Sequence, residues 1–565
     1  MKNNRAILIT AAVIAFFTVF FLFPMVYALQ AAFRADGGGF TFKYLLGVFR
    51  NPIYLEGLWN ALRVGIGSMV LAILIAFPLA LASHRWVFPG KKWLGVLILA
   101  PLVLPPFVGA VGVKEILGVH GSFNAILIQF GMMDATNPRD WLGQGRFFGV
   151  ILMNALHLYP ILYMNVLAAL SKLDPAMEQA AQNLGCPPWE RFKRITLPLC
   201  MPGIFSGAAV VFIWSFTELG VPLVFDYTRI SSVQIYDGIK DLNQNPMPYA
   251  LIFVMVLIST IIYLVSKSLF ANKAVVVEGK PSVASNERIL SPAKGMIVSA
   301  VFMSIFVIAC IPHIGVILLS VSGDWYGTML PSDMTLAHYG EGLSHPLVVP
   351  SIQNSLFYGL GATALDLILG TAIAWVIVRS TMRGRHLLDA LMMLPLAVPG
   401  LVLAFGYLAL SQPGQPLDFL VGASNNPAML LIIAYAVRRL PYVVRAAVAG
   451  LQQSNVSLEE AARTMGATAQ STVRRIALPL IGANLAAGAI LAFAFAMLEV
   501  SDSLILAQQA EHYPITKAIY ALLSTLGNGH ELAAALGVWA MVFLGVALIG
   551  AFTLAGKKAG GIFRF

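Results

Sequence analysis

Long runs without a charged side chain alternate along this chain with short polar intervals. Ala6–Phe33, Phe147–Ser171, Gly295–Gly323 and Leu532–Gly556 each contain no Lys, Arg, Asp or Glu. About 20 apolar residues in a helix cross a hydrocarbon core of roughly 30 Å. Only helices or closed barrels satisfy every backbone group in lipid, and apolar runs of this length are helices. The pattern predicts about twelve spans, at 7–33, 57–82, 93–116, 147–170, 204–226, 249–266, 296–320, 352–378, 387–410, 428–450, 484–508 and 532–556. The expected fold class is an all-α membrane protein.

Composition agrees with the pattern. Of 565 residues 58% are hydrophobic and 11% charged, with a mean hydropathy of +0.80, whereas a soluble chain carries about a quarter charged residues. Lys2 and Arg5 precede the first apolar run as they would in a signal peptide. That run is too long and lacks a small-residue cleavage site, so it reads as the first span. Cys186, Cys200 and Cys310 are scattered and give neither a disulfide framework nor a metal-like spacing. Nine scattered histidines offer no His-Glu-x-x-His, and no catalytic constellation is apparent. The net charge of +10 changes the picture only through its distribution. With both termini placed in the cytoplasm, 24 of the 36 Lys and Arg fall in inside segments and ten outside. That asymmetry is the positive-inside signature, so the basic charge reads as topology and not as a nucleic-acid surface.

The chain repeats itself. Glu178-Gln-Ala-Ala-Gln-Asn-Leu-Gly185 aligns with Glu459-Glu-Ala-Ala-Arg-Thr-Met-Gly466 at an offset of 281, which also carries Pro160 to Pro441, Pro198 to Pro479 and Glu218 to Glu499. Upstream the offset is 294, mapping Asn60 to Asn354, Pro101 to Pro395 and Pro105 to Pro399. A longer outer loop around Val119–Arg146 absorbs the difference. Collinear blocks of this kind mark a duplication. They predict two parallel six-helix repeats, a first lobe over 1–266 and a second over 296–565, joined by a polar cytoplasmic linker over 267–295.

Each half carries Ala-Ala-x3-Gly-x9-Ile-x-Leu-Pro between its fourth and fifth spans, within loops 171–203 and 452–483. Asp174 before Pro175 predicts a helix start, and Ser457 with Glu460 fits a capping box. Gly185 and Gly466 suit a left-handed residue closing a short helix. These residues resemble the "EAA" loop of ABC importer permeases, and the resemblance covers essentially the whole chain in two copies. It implies a type I ABC importer permease fold in the bacterial cytoplasmic membrane. It also implies that Glu178, Gln179, Ala180, Ala181 and Gly185, with Glu459, Glu460, Ala461, Ala462 and Gly466, couple to an ATPase. The family's usual Glu is Glu460 in the second half but Gln179 in the first, so unequal docking is expected.

No Walker-type Gly-x4-Gly-Lys-Ser/Thr occurs, so no cofactor is expected in this chain and ATP with Mg belongs to a partner. The implied partners are two copies of a cytoplasmic ATP-binding subunit, a periplasmic or lipid-anchored solute-binding protein, and membrane lipid. The chain itself is expected not to be an enzyme. The fused two-lobe design, Pro101-Leu-Val-Leu-Pro-Pro106 and Arg438-Arg-Leu-Pro441 resemble the ferric-iron group of permeases. Relatives there handle 2-aminoethylphosphonate, sugar phosphates, thiamine and polyamines, so the solute is expected to be small and anionic or chelated. An ion-coupled secondary transporter is the rival class. Ionisable groups within spans face a cavity or each other, which makes His157, Glu218, Arg438, Arg439 and Glu499 candidates for the translocation path. An internal pairing of the arginines with carboxylates is the alternative.

Overall fold

A computed structural model describes residues 3–555 apart from 36–38, 104, 172, 242–244, 272–287 and 423–424. Its first half contains α1 (Ala6–Ala31), α2 (Pro52–Arg85), α3 (Pro106–Leu117), α4 (Phe147–Leu170), α5 (Pro175–Asn183), α6 (Leu197–Phe216) and α7 (Met247–Val265). The second half contains α8 (Pro292–Ser320), α9 (Val348–Arg379), α10 (Arg385–Ala397), α11 (Gly400–Leu410), α12 (Ala428–Gln453) and α13 (Val456–Thr464). It ends with α14 (Leu478–Met497), α15 (Ile515–Leu523) and α16 (Gly529–Ala547). Strand pairing among the described residues is minor: Trp86–Val87 runs parallel to Arg288–Ile289, and Ser322–Asp324 antiparallel to Asp333–Met334. Most of the linker predicted over 267–295 lies outside the described residues.

Among the described residues ten helices are long and apolar enough to cross a membrane, or eleven if α10 and α11, bent by 90° at their break, count as one. The pattern over 428–450 does form a long helix, α12, but Arg438, Arg439 and Arg445 interrupt its apolar surface and it is not among the ten. The intervals 93–116 and 387–410 are each broken. The first consists of Lys91–Leu97, Ala100–Val103 and α3, and the second of α10 and α11. Repeat-equivalent prolines make both breaks. Pro105 and Pro399 sit in extended backbone (ψ 122° and 135°) immediately before α3 and α11. A proline fixes its own φ and lacks the N–H that a continuing helix would need.

Packing divides the chain into two compact units that do not follow chain order. One comprises Met1–Asn51, Ile235–Phe253 and the segment from Leu336 onward; the other comprises Pro52–Gln234 and Val254–Thr335. The stretches 1–266 and 296–565 therefore exchange their first spans. α1 packs on α11, and α8 on α3. Glycine makes both crossings possible, since small residues let backbones approach in a membrane. A Cβ on Gly406 would meet the Pro24 carbonyl oxygen at 2.3 Å, and one on Gly112 the Pro312 carbonyl oxygen at 2.2 Å. Gly112 and Gly406 are 294 residues apart, so the same repeat position receives the same kind of helix through a proline carbonyl in both units.

Candidate functional site

The duplicated motif folds as a short helix, a sharp turn and a second helix in each half. α5 starts as the sequence predicts: the Asp174 side chain accepts the Ala176 N–H at 2.9 Å, with Pro175 at the first helical position. α13 starts two residues earlier than the Ser457 capping box implies. Asn455 is the cap, its side chain accepting the Ser457 N–H at 3.1 Å. Asn caps as well as Ser does, and capping at Asn455 brings Val456 and Ser457 into the helix. Both helices end in a Schellman turn on glycine. Gly185 and Gly466 have φ of 77° and 87°, the Cys186 N–H reaches the Ala181 carbonyl at 3.0 Å, and the Ala467 N–H reaches Ala462 at 3.0 Å.

Beyond the turn the two halves stay congruent. Phe192–Thr196 and Val473–Ala477 are both one-turn π-helices, at the 281 offset. Pro198 and Pro479 follow, and without an N–H they cannot return the α-type bond four residues back. The exposed side chains beside the turns also match. Leu184 is 87% exposed and Met465, its equivalent, 89%. Gln179, Ala180, Glu460 and Ala461 are exposed as well, while Ala181 and Ala462 are half-buried.

The acid that each loop turns inward is the first of the pair. Glu178 receives Arg85, the last residue of α2, at 3.0 Å; Glu459 receives Arg379, the last residue of α9, at 2.9 Å. Burial on its own would raise the Glu178 carboxyl, but the Thr196 hydroxyl and the Arg85 guanidinium outweigh it and hold the group below its ordinary value. The inequality expected from Gln179 against Glu460 therefore falls on two exposed positions, whereas the inward pair is Glu in both halves. Sequence reasoning missed Arg85 and Arg379. The signal was available, because the 294 offset maps one onto the other.

Four of the five path candidates and their neighbours are tied into the protein as follows. Arg438 donates to Glu499 at 2.6 Å and to Asp502 at 3.4 Å, and Arg439 donates to the other oxygen of Glu499. Glu499 is 3% exposed and Asp502 fully buried. Arg439 also lies over the Phe495 ring at 5.6 Å. Glu218, the repeat equivalent of Glu499, instead accepts the backbone N–H groups of Gly220 at 3.0 Å and Val221 at 3.4 Å. The fifth candidate, His157, stands in the Arg438 position, with Nδ1 at 2.9 Å from the Pro101 carbonyl oxygen. The structure thus gathers Arg438, Arg439 and Glu499 into one cluster, while Glu218 caps backbone N–H groups and His157 meets a backbone carbonyl.

Residues 68–273 and 366–555 match the family described as "Binding-protein-dependent transport system inner membrane component", once in each half. The chain belongs to that family. It is accordingly a multi-pass inner-membrane transport component and not an enzyme, of a family that works with ATP-binding and solute-binding partners. Among its relatives is the ferric transport system permease protein FbpB of Actinobacillus pleuropneumoniae, 29% identical over 86% of this chain and 68% of that protein. The putative ferric transport system permease protein FbpB 1 of Haemophilus influenzae is 28% identical over 89% of this chain and 78% of its own length. A solved bacterial ABC transporter involved in import of the acidic polysaccharide alginate is similar over 48% of this chain and 96% of its own, with a TM-score of 0.40 and 21% identity.

Proposed function

We propose that this inner-membrane component carries ferric iron, chelated or accompanied by an anion, into the cytoplasm by alternating access. Two copies of a separate ATP-binding subunit, which holds ATP and Mg, dock on α5 and α13. A periplasmic or lipid-anchored solute-binding protein delivers the cargo at the opposite face. Both termini and the 267–295 linker lie on the cytoplasmic side in this reading. The ferric cargo is supported by the two relatives named as ferric transport permeases, which match most of the chain. The observation that carries the docking is the pair of nearly fully exposed apolar side chains, Leu184 and Met465, at one repeat position beside a rigid glycine turn. Each such residue suits insertion into an apolar pocket of a partner, where its removal from water favours binding.

Arg438, Arg439 and Glu499 act in this proposal as a buried ionic tie between α12 and the segment after α14. Their charges are already answered by protein partners. Contact with the solute then falls to other groups. Docking is tested by replacing Leu184 and Met465 with Glu and capturing the ATP-binding subunit of the same transport system on the purified permease. Capture is expected to be lost while the permease level is unchanged. Capture at the unaltered level would remove the docking assignment.

A further inference from the structure

α5 and α13 have almost nothing of their own inside the protein. α5 buries no side chain and α13 buries only Glu459. A helix that short gains its position from packing and not from intrinsic stability, so whatever fixes α5 and α13 must come from specific contacts. Arg85 and Arg379 supply one in each half, and they terminate the two longest uninterrupted α-helices among the described residues, of 34 and 32 residues. The carbonyl end of a helix favours a cation there, so each guanidinium is held by its own span before it reaches across.

Each arginine ties three segments. Arg85 joins α2 to Glu178 of α5 and, at 3.0 Å, to Thr196 in the π-turn leading into α6; the Thr196 hydroxyl donates to the same Glu178 oxygen. Arg379 joins α9 to Glu459 of α13 and, at 2.7 Å, to the Ser454 hydroxyl just past α12. The third partner differs between halves, while the arginine, the glutamate and the link from span end to loop helix recur. Burial differs as well. Side-chain exposure is 29% and 20% for Arg85 and Glu178, but 10% and 5% for Arg379 and Glu459. A charge pair shielded from water is weakened least by solvent.

We propose that Arg85 and Arg379 are positioning residues that make each docking helix move as one body with its long span, α2 or α9, and that the Arg379–Glu459 tie is the stiffer. The proposal rests on the docking reading above, and goes beyond it by naming where a push on the loop enters the membrane. It differs from a purely stabilising pair in what its loss does. ATP would still be hydrolysed by a docked subunit, but less of the resulting motion would reach the spans.

The test uses the full permease with its ATP-binding subunit and solute-binding protein in proteoliposomes, with radioactive ferric citrate as probe. Failure of the unaltered chain to capture the ATP-binding subunit or to take up the probe would count against the proposed function, before any variant is read. Given uptake, Arg379→Ala is expected to keep subunit capture and ATP hydrolysis while uptake per ATP falls about tenfold. Arg379→Glu combined with Glu459→Arg is expected to restore most of that loss, and Arg85→Ala to show a smaller one. Unchanged uptake per ATP in Arg379→Ala would overturn the proposal. So would an exchanged pair that restores folded protein but leaves uptake per ATP at the alanine value. Should Arg379→Ala not fold, Arg85→Ala decides alone, and unaltered uptake per ATP there overturns it.

Discussion

At the scale of single residues, the two arginines of α12 show how partners decide a role that position alone leaves open. An arginine within a span is costly wherever it sits, by roughly 2.5–3.5 kcal/mol on insertion scales. The sequence says only that something must offset Arg438 and Arg439. The structure supplies Glu499 to both and Asp502 to Arg438. Replacing both arginines with Gln would leave Glu499 and Asp502 buried without a counter-charge, a change of about 3–5 kcal/mol when one side of a buried pair is removed. Arg438→Gln with Arg439→Gln is therefore expected to lose most folded protein, read by detergent size-exclusion profile. A monodisperse double variant with reduced uptake would instead favour contact with solute. Asp502 lies three residues beyond Glu499 in the sequence, and only the fold shows that it shares Arg438. Gly185 and Gly466 were legible outright, because a glycine closing a capped helix has few other readings.

At the scale of helices, the hydrophobic pattern located the apolar segments and misjudged their continuity. Nothing in hydropathy distinguishes Pro105 or Pro399, which break a span, from Pro160, which lies inside α4. The difference is set by what packs nearby. Gly400 follows the second break, and a Cβ there would meet the Arg438 guanidinium at 1.9 Å, so the bend seats directly over the ionic cluster. The glycine crossings are a second element-scale feature hidden from sequence, since Gly112 and Gly406 looked like ordinary span residues. Their partners are backbone carbonyls, which cannot turn aside as a flexible side chain can. Gly112→Val and Gly406→Val are each expected to force the paired spans apart, costing about 1–3 kcal/mol or more as overpacked sites do. A lower thermal midpoint of the detergent-solubilised protein is the measurement. Gly545→Val serves as the control, since nothing lies within 4 Å of a Cβ there. A Gly112 variant as stable as that control would contradict the close crossing.

At the scale of the whole chain, two collinear blocks in the sequence were enough to reveal the duplication, and the structure repeats it down to matching π-turns and Arg–Glu ties. The exchange of first spans was not legible. A repeat alignment records order along the chain, while α1 and α8 are placed by glycines in the other half. Orientation remains a matter of charge distribution. Reporters fused near Ser285 and at the C-terminus are expected to read cytoplasmic, and one near Asn137 periplasmic; a periplasmic signal at Ser285 would break the parallel-repeat arrangement. The central claim, an importer driven by ATP hydrolysed on a separate subunit, is tested most directly by ferric iron uptake into proteoliposomes holding the permease. Uptake should require the ATP-binding subunit, the solute-binding protein and hydrolysable ATP together, and persist when ion gradients are collapsed. Uptake by the permease alone, driven by an ion gradient without ATP, would contradict it.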